Sequence, residues 1–347
     1  MCTIYFSPFR NESNSYIEMQ KALLRASGFN VQPLNLRALF TGKNFGIFHS
    51  RNIIVFHWLE ARVFRRSGSG GGSKIDIIGL FTCLFYLGLI MLARAKVVYF
   101  VHDHAAHDTK GYQKRFSIML IRYLTHFSTA RVVHDPSYAD AYRATYLPHP
   151  LYWDTGGIKI DGITHSEHKS TPSDVPRFAI LGMIRSYKGI DKILNVWPVG
   201  TKLIIRGQGT PEYCDELRQI IKDRHILNDT TFVQGFMSSD EFDLTLSHVD
   251  VLILPHLAGT MLVSGAFFEG IGRVKAIIAR RTPFIDWVSS QLPGIYAFEQ
   301  DAEIPAIVAA IQANWATLSA NDASAAAQKL FGWQQSCAAY REFFTHL

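Results

Sequence analysis

"RFAILGMIRSYKGID", residues 177–191, joins an apolar run to a short loop that carries two cations and two glycines. The run ending at Leu181 is bounded by polar residues before it and by Gly182 after it, the pattern of a short buried strand, and Ile190 onward opens a helical segment. Arg185 and Lys188 therefore fall on a loop at the carboxyl end of a strand. Two cations there, with Gly182 and Gly189 permitting close backbone approach, suit a diphosphate. The plainer alternative is a solvated turn with ordinary surface charges.

Working outward, similar runs recur: "CTIYFS", "NIIVFHW", "KVVYFVHD" and "ARVVHD" before this stretch, and "TKLIIRG", "TTFVQG", "VDVLILP", "AIIAR" and "PGIYAF" after it. Strands alternating with helical segments are the mark of doubly wound parallel sheets, so the chain reads as α/β with two such series. A polar stretch rich in Gly, Ser, Thr and Pro, residues 154–176, divides them. The expected units are residues 1–155, residues 175–328, and a C-terminal helix over 329–347 whose apolar residues recur at helical spacing. "RRSGSGGGSK", residues 65–74, reads as a solvated loop.

With 347 residues and 48% hydrophobic content, the chain can bury two cores. Its net charge of +6 is unevenly spread: residues 1–150 carry 18 Lys and Arg against 8 Asp and Glu, and the remainder 17 against 21. A basic first half suits anionic headgroups or phosphorylated substrates, and no recognition-helix or zinc-finger signature argues for nucleic acid. The four cysteines have no metal-like spacing and form no disulfide framework, which fits a reducing compartment. The N-terminus lacks a secretory pattern. From Ile77 to Ala93 the chain carries no charge, at the lower edge of membrane-spanning length; a buried helix, an interfacial helix and a span are the three readings.

Several further stretches hold chemistry. "VHDHAAHD", residues 101–108, follows a strand with His102, Asp103, His104, His107 and Asp108, on the loop where an open α/β sheet usually places a site. "FHWLE" adds His57 and Glu60. "FRNESNSY" places Arg10, Asn14 and Tyr16 after the first strand, in reach of a sugar or pyrophosphate, although Asn14 could equally cap a helix. "VSGAFFEG" puts Ser264 and Gly265 at a helix start, with Glu269 a turn later to meet ribose hydroxyls. Phe236, in "VQGF", is a candidate for a base-edge contact or for core packing. Histidines at the spacing of 102–107 could also ligate a metal, but no Cys or Glu partner follows.

The order strand–"LGMIRSYKG"–helix, "IRGQG", "VQGF", "LILP", "SGAFFEG" resembles the nucleotide-sugar half of GT-B glycosyltransferases. With "YFSPFRNESNSY", "FHWLE", "VHDHAAHD" and the "GWQQSCAAYREFF" tail, it resembles the inverting β-mannosyltransferases of exopolysaccharide assembly. The resemblance implies two Rossmann-like domains facing a cleft, with the last helix crossing back to the first domain. It implies transfer from a nucleotide sugar, GDP-mannose first and a UDP sugar second, to a polyprenyl-diphosphate-linked glycan at the cytoplasmic face of the inner membrane, without a metal. A non-catalytic binding module on the same fold is the rival from another class.

Arg185 and Lys188 would then hold the donor diphosphate, with Ser264 and Gly265 at the phosphate-facing turn. His102 would face the donor sugar. An inverting transferase needs one general base for the acceptor hydroxyl. Asp108, His107, Glu60 and Asp103 are the candidates. Where the wider group often has two glutamates with seven residues between them, Met261 stands in the first place and Glu269 in the second.

Overall fold

A computed structural model of the chain describes residues 2–10, 15–66, 73–106, 109–160, 173–257, 259 and 261–347. In chain order its strands are β1 (Thr3–Ser7), β2 (Asn30–Pro33), β3 (Ile53–His57), β4 (Phe64–Arg66), β5 (Ser73–Ile75), β6 (Lys96–Phe100), β7 (Ala130–Val133) and β8 (Thr145–Tyr146), then β9 (Phe178–Leu181), β10 (Leu203–Gly207), β11 (Thr230–Gln234), β12 (Val251–Leu254), β13 (Ala276–Arg280) and β14 (Ile295–Phe298). Two six-stranded sheets form, ordered β2-β1-β3-β6-β7-β8 and β11-β10-β9-β12-β13-β14. Every pairing within them is parallel. β4 and β5 make a separate antiparallel ribbon.

Helices cover both faces of each sheet, which is why the central strands are apolar throughout instead of alternating. All five residues of β3 are buried. Its side chains nevertheless alternate in destination: Ile53 and Val55 join one apolar cluster, Ile54 and Phe56 another. The first of these clusters is shared by both sheets. It runs from Val55 and Phe100 through Phe267 and Phe268 to Leu252, Leu254 and Ile277, and includes Tyr340 and Phe344 near the C-terminus.

The C-terminal helical segment is two helices, Ala320–Phe331 and Trp333–His346, where the periodicity predicts one. Gly332 breaks it in extended conformation, and the Asp154 carboxylate accepts the freed Trp333 N–H at 3.0 Å. The last helix lies on Tyr16–Ala26 of the first domain, where Gln20 donates to the Tyr340 hydroxyl at 2.8 Å.

The apolar stretch forms the helix Ile77–Leu92, capped by Asp76, whose side chain accepts the Ile78 N–H at 3.0 Å. Gly79 lets it press on the preceding segment, since a Cβ there would stand 1.8 Å from the Arg62 carbonyl oxygen. Cys83, Tyr86, Leu89 and Ile90 face inward, whereas Ile77, Ile78, Phe81, Met91 and Leu92 are exposed. Among the described residues no helix is long and apolar enough to cross a membrane. Residues 67–72 and 161–172, within the two expected polar loops, lie outside the described residues.

Candidate active site

In each sheet the strand order reverses at one point, β1/β3 in the first and β9/β12 in the second, and crevices open there beyond the carboxyl ends of the strands. β12 pairs with β9 at two positions only, Val251 with Phe178 and Leu252 with Ala179. Past Ala179 the paired register lapses, although β12 itself runs on to Leu254. Gly182 takes a left-handed φ of +98°, and its N–H donates to the Arg206 carbonyl at 3.1 Å. A tight turn over Ser186–Lys188 follows and ends at Gly189, φ +65°. That backbone conformation favours glycine, and a Cβ there would also stand 3.1 Å from the Pro255 carbonyl oxygen.

This loop holds Lys188 at 8% exposure. Among the described residues it has neither an ion pair nor a side-chain hydrogen bond, and burial pushes its ammonium down to about 8. Arg185 is half-buried, also without an ion pair among the described residues, and its Nε is buried with no hydrogen-bond partner. A buried and a half-buried cation with no counter-charge among the described residues carry a desolvation cost that an anion would offset.

On the first domain, β3 and β6 carry His57 and His102 off neighbouring strand ends, where His57 Nδ1 lies 2.8 Å from His102 Nε2. His134, following β7, has Nδ1 2.8 Å from the Leu147 carbonyl, which can only accept; Nδ1 thus bears the proton and the bare Nε2 accepts from the Tyr16 hydroxyl at 2.6 Å. His149 donates through Nδ1 to the Pro150 carbonyl at 2.9 Å. Burial, the largest cause in each case, pulls all four histidines below their ordinary value, His134 to about 4. Trp58 stacks on His102 at 4.1 Å with an interplanar angle of 22°. Its backbone reaches that place through a left-handed φ of +48°.

The two crevices meet. The Leu262 N–H donates to the His102 carbonyl at 3.1 Å, and Asp103 pairs with Met261 in an isolated antiparallel bridge. His149 stacks on Phe268 at 3.9 Å and 10°. Asp103 is 4% exposed; burial raises its carboxyl to about 8, against a hydrogen bond from Trp58 that lowers it. Ser264 precedes the short helix Gly265–Gly270, and a Cβ at Gly265 would approach the Tyr152 hydroxyl to 3.3 Å. Burial likewise raises the Glu269 carboxyl to about 8, opposed by Arg273, which is itself engaged by Asp243 at 2.7 Å. Beside Ser264 a cavity of about 40 Å³ is lined by His256, Met261, Arg280 and Thr282 among others.

The structure thus gathers His57, His102, Asp103 and Tyr16 on one side and Arg185, Lys188, Gly182, Ser264, Gly265 and Glu269 on the other. Glu60 goes elsewhere: it is buried on the far face of the first sheet, where Tyr99 donates to its carboxylate. Phe236 is 71% exposed, which removes the core-packing alternative. Arg10 is exposed, and His104 pairs with the Tyr142 hydroxyl at 2.7 Å. Asn14, His107 and Asp108 lie outside the described residues. Sequence reasoning passed over His134, His149 and Trp58. A signal existed for the first: "VHD" ends two strands, at 101–103 and again at 133–135. Among the described residues no group of three or more His, Cys, Asp or Glu side chains could hold a metal ion.

No protein-family profile matches the chain, and no curated protein matches its sequence. Solved structures do. HepE of Anabaena in complex with UDP superimposes with a TM-score of 0.68 at 14% identity, over 100% of both chains. A sucrose-phosphate synthase of Thermosynechococcus elongatus gives 0.68 at 13%, again over 100% of both. The catalytic domain of starch synthase IV from Arabidopsis thaliana, bound to ADP and acarbose, gives 0.58 at 11%, covering 97% of this chain and 78% of that one. The fold is therefore GT-B: two parallel-sheet domains whose strand ends face one another.

Proposed function

We propose that the chain is a glycosyltransferase that moves a sugar from a nucleoside-diphosphate donor to an acceptor hydroxyl without a metal ion. The observation that carries this reading is the pair of cations, Arg185 and Lys188, that have no ion pair among the described residues, at the switch point of the second sheet. Across the cleft, Asp103 supplies a carboxyl whose raised pKa suits a general base. In the step we propose, a base takes the proton of the acceptor hydroxyl and its oxygen bonds to the anomeric carbon. The bond from that carbon to the diphosphate breaks, and the departing charge is met by Arg185 and Lys188. Asp103 is our first choice of base; His107 and Asp108, further along the same loop, are the next to substitute.

The finer reading follows the sequence resemblance: GDP-mannose as donor, inversion to a β-linked product, and a polyprenyl-diphosphate-linked glycan as acceptor in exopolysaccharide assembly. A UDP sugar is the second reading, supported by the structures of HepE with UDP and UDP-glucose. A lipid-linked acceptor agrees with the exposed apolar face of the helix Ile77–Leu92, which stands among exposed Arg62, Lys74 and Arg94. It would seat the enzyme peripherally on the cytoplasmic face of an anionic membrane.

Thermal melting of the purified chain with GDP, UDP, ADP or dTDP, each with and without EDTA, tests the donor site, because a ligand that binds only the native state must raise its stability. Stabilisation by one nucleotide that survives EDTA is the expected result. No response to any of them overturns the reading.

A further inference from the structure

We infer that His57 is a positioning residue that fixes the tautomer of His102, so that His102 offers an N–H to a substrate oxygen and acts as a hydrogen-bond donor instead of a base. This rests on the cleft being the transferase site proposed above.

His57 is 1% exposed, and its ring lies between Phe6 at 4.8 Å and Phe100 at 4.4 Å. Its single hydrogen bond among the described residues runs from Nδ1 to His102 Nε2, 2.8 Å away, and its Nε2 is buried with no partner. Both rings are neutral, so one proton lies between the two nitrogens and two arrangements exist. If His102 supplies that proton from Nε2, then the proton of His57 sits on its own Nε2, an orphaned N–H among aromatic rings. If His57 supplies it from Nδ1, the orphan is a bare acceptor. By analogy with backbone groups, where a buried N–H is orphaned less often than a carbonyl acceptor, the second arrangement is favoured.

His102 then accepts at Nε2 and keeps its own proton on Nδ1, for which no protein partner exists among the described residues. The Trp58 stack and the Leu262 N–H on the His102 carbonyl hold this ring in place beside the second domain. A donor N–H at that position recognises a hydroxyl or phosphate oxygen of the nucleotide sugar. It cannot remove a proton from the acceptor, which leaves that role to another group, Asp103 first.

Ring-nitrogen NMR of the ¹⁵N-labelled, nucleotide-free protein reads the tautomer directly, with H102F assigning the signals. The expected result is a His102 protonated on Nδ1 in the wild type and in H57N, whose amide can still donate, with a shift of the proton toward Nε2 in H57F. A wild-type His102 protonated on Nε2 overturns the inference, as does a tautomer unchanged in H57F. Should H57F fail to fold, the wild-type spectrum alone decides. Because no nucleotide is present, this result stands or falls separately from the donor-site melting experiment.

Discussion

Lys188 shows at the scale of one residue how the proposed donor site would cost stability. Its ammonium is buried with no anion beside it among the described residues, and burial sets its native pKa at about 8, below the ordinary lysine value. The native state then binds fewer protons than the unfolded chain between about pH 8 and 10.4, and stability rises with pH across that window. Below it the penalty is fully present. K188M is accordingly expected to melt higher than the wild type at pH 7 in the absence of nucleotide. It should also bind the nucleoside diphosphate about 30-fold more weakly, the equivalent of about 2 kcal/mol for a lost charged contact. A K188M protein that melts lower, or that binds nucleotide normally, would place the ammonium away from phosphate. Asp103 gives the complementary case across the cleft. With its carboxyl raised to about 8, the ionised base becomes abundant only as pH rises toward that value, so kcat/KM should climb from pH 6.5 toward 8 and fall beyond it, as the Lys188 ammonium, also near 8, is lost. D103N should lose transfer by about 100-fold or more while nucleotide affinity stays unchanged. A flat profile, or an active D103N, would pass the role to His107 or Asp108.

At the scale of the element, the helix Ile77–Leu92 buries one face on the first domain and leaves the other apolar and exposed: Ile78 is 78% exposed and Phe81 69%. The neighbouring helix Gly111–Phe127 adds exposed Tyr112, Met119 and Tyr123. Substituting Ile78 and Phe81 by glutamate removes apolar area and adds negative charge without touching the core. Binding to anionic vesicles in a sedimentation assay should fall at least tenfold, with stability changed by no more than about 0.5 kcal/mol per site. Equal sedimentation of the variant and the wild type would remove this face from the membrane reading. The same helix marks what was legible beforehand. An uncharged run of this length could be core, interface or span, because hydropathy reports the solvent a residue tolerates and not which side of the helix finds a partner. The central strands were readable because burial on both faces makes them continuously apolar. β2 and β8 were not, being short and mixed in polarity at the two edges of their sheet. In the site, the Arg185–Lys188 loop announced itself by local spacing. The junction of His57, His102, His134 and Tyr16 did not, since parallel strands bring together residues up to 118 apart in the chain.

At the scale of the whole molecule, the histidine cluster and the shared core make stability a joint property of the two domains. His57, His102, His134 and His149 are held below their ordinary value, so the stability they contribute is complete above about pH 6.5 and is lost as pH falls through their native values, about 4 for His134. Asp103 and Glu269 act in the opposite sense: raised to about 8, they contribute stability that is complete below about pH 4 and lost as pH rises to about 8. Melting temperature against pH should fall from about pH 6.5 to 8, and the D103N/E269Q double variant should flatten that decline; an unchanged slope would show both carboxyls already ionised at pH 6.5. Cooperativity follows from the apolar cluster that both sheets share and that the last helix closes. Tyr340 is fully buried there and accepts a hydrogen bond from Gln20, so Y340A leaves a large cavity and an unmet amide on the first domain, at a cost of about 3–5 kcal/mol. If the shared cluster couples the domains, calorimetry should show one transition in both proteins, displaced as a whole in Y340A. Two transitions, with only the first displaced, would mean that the halves unfold independently and that the cluster is two cores in contact.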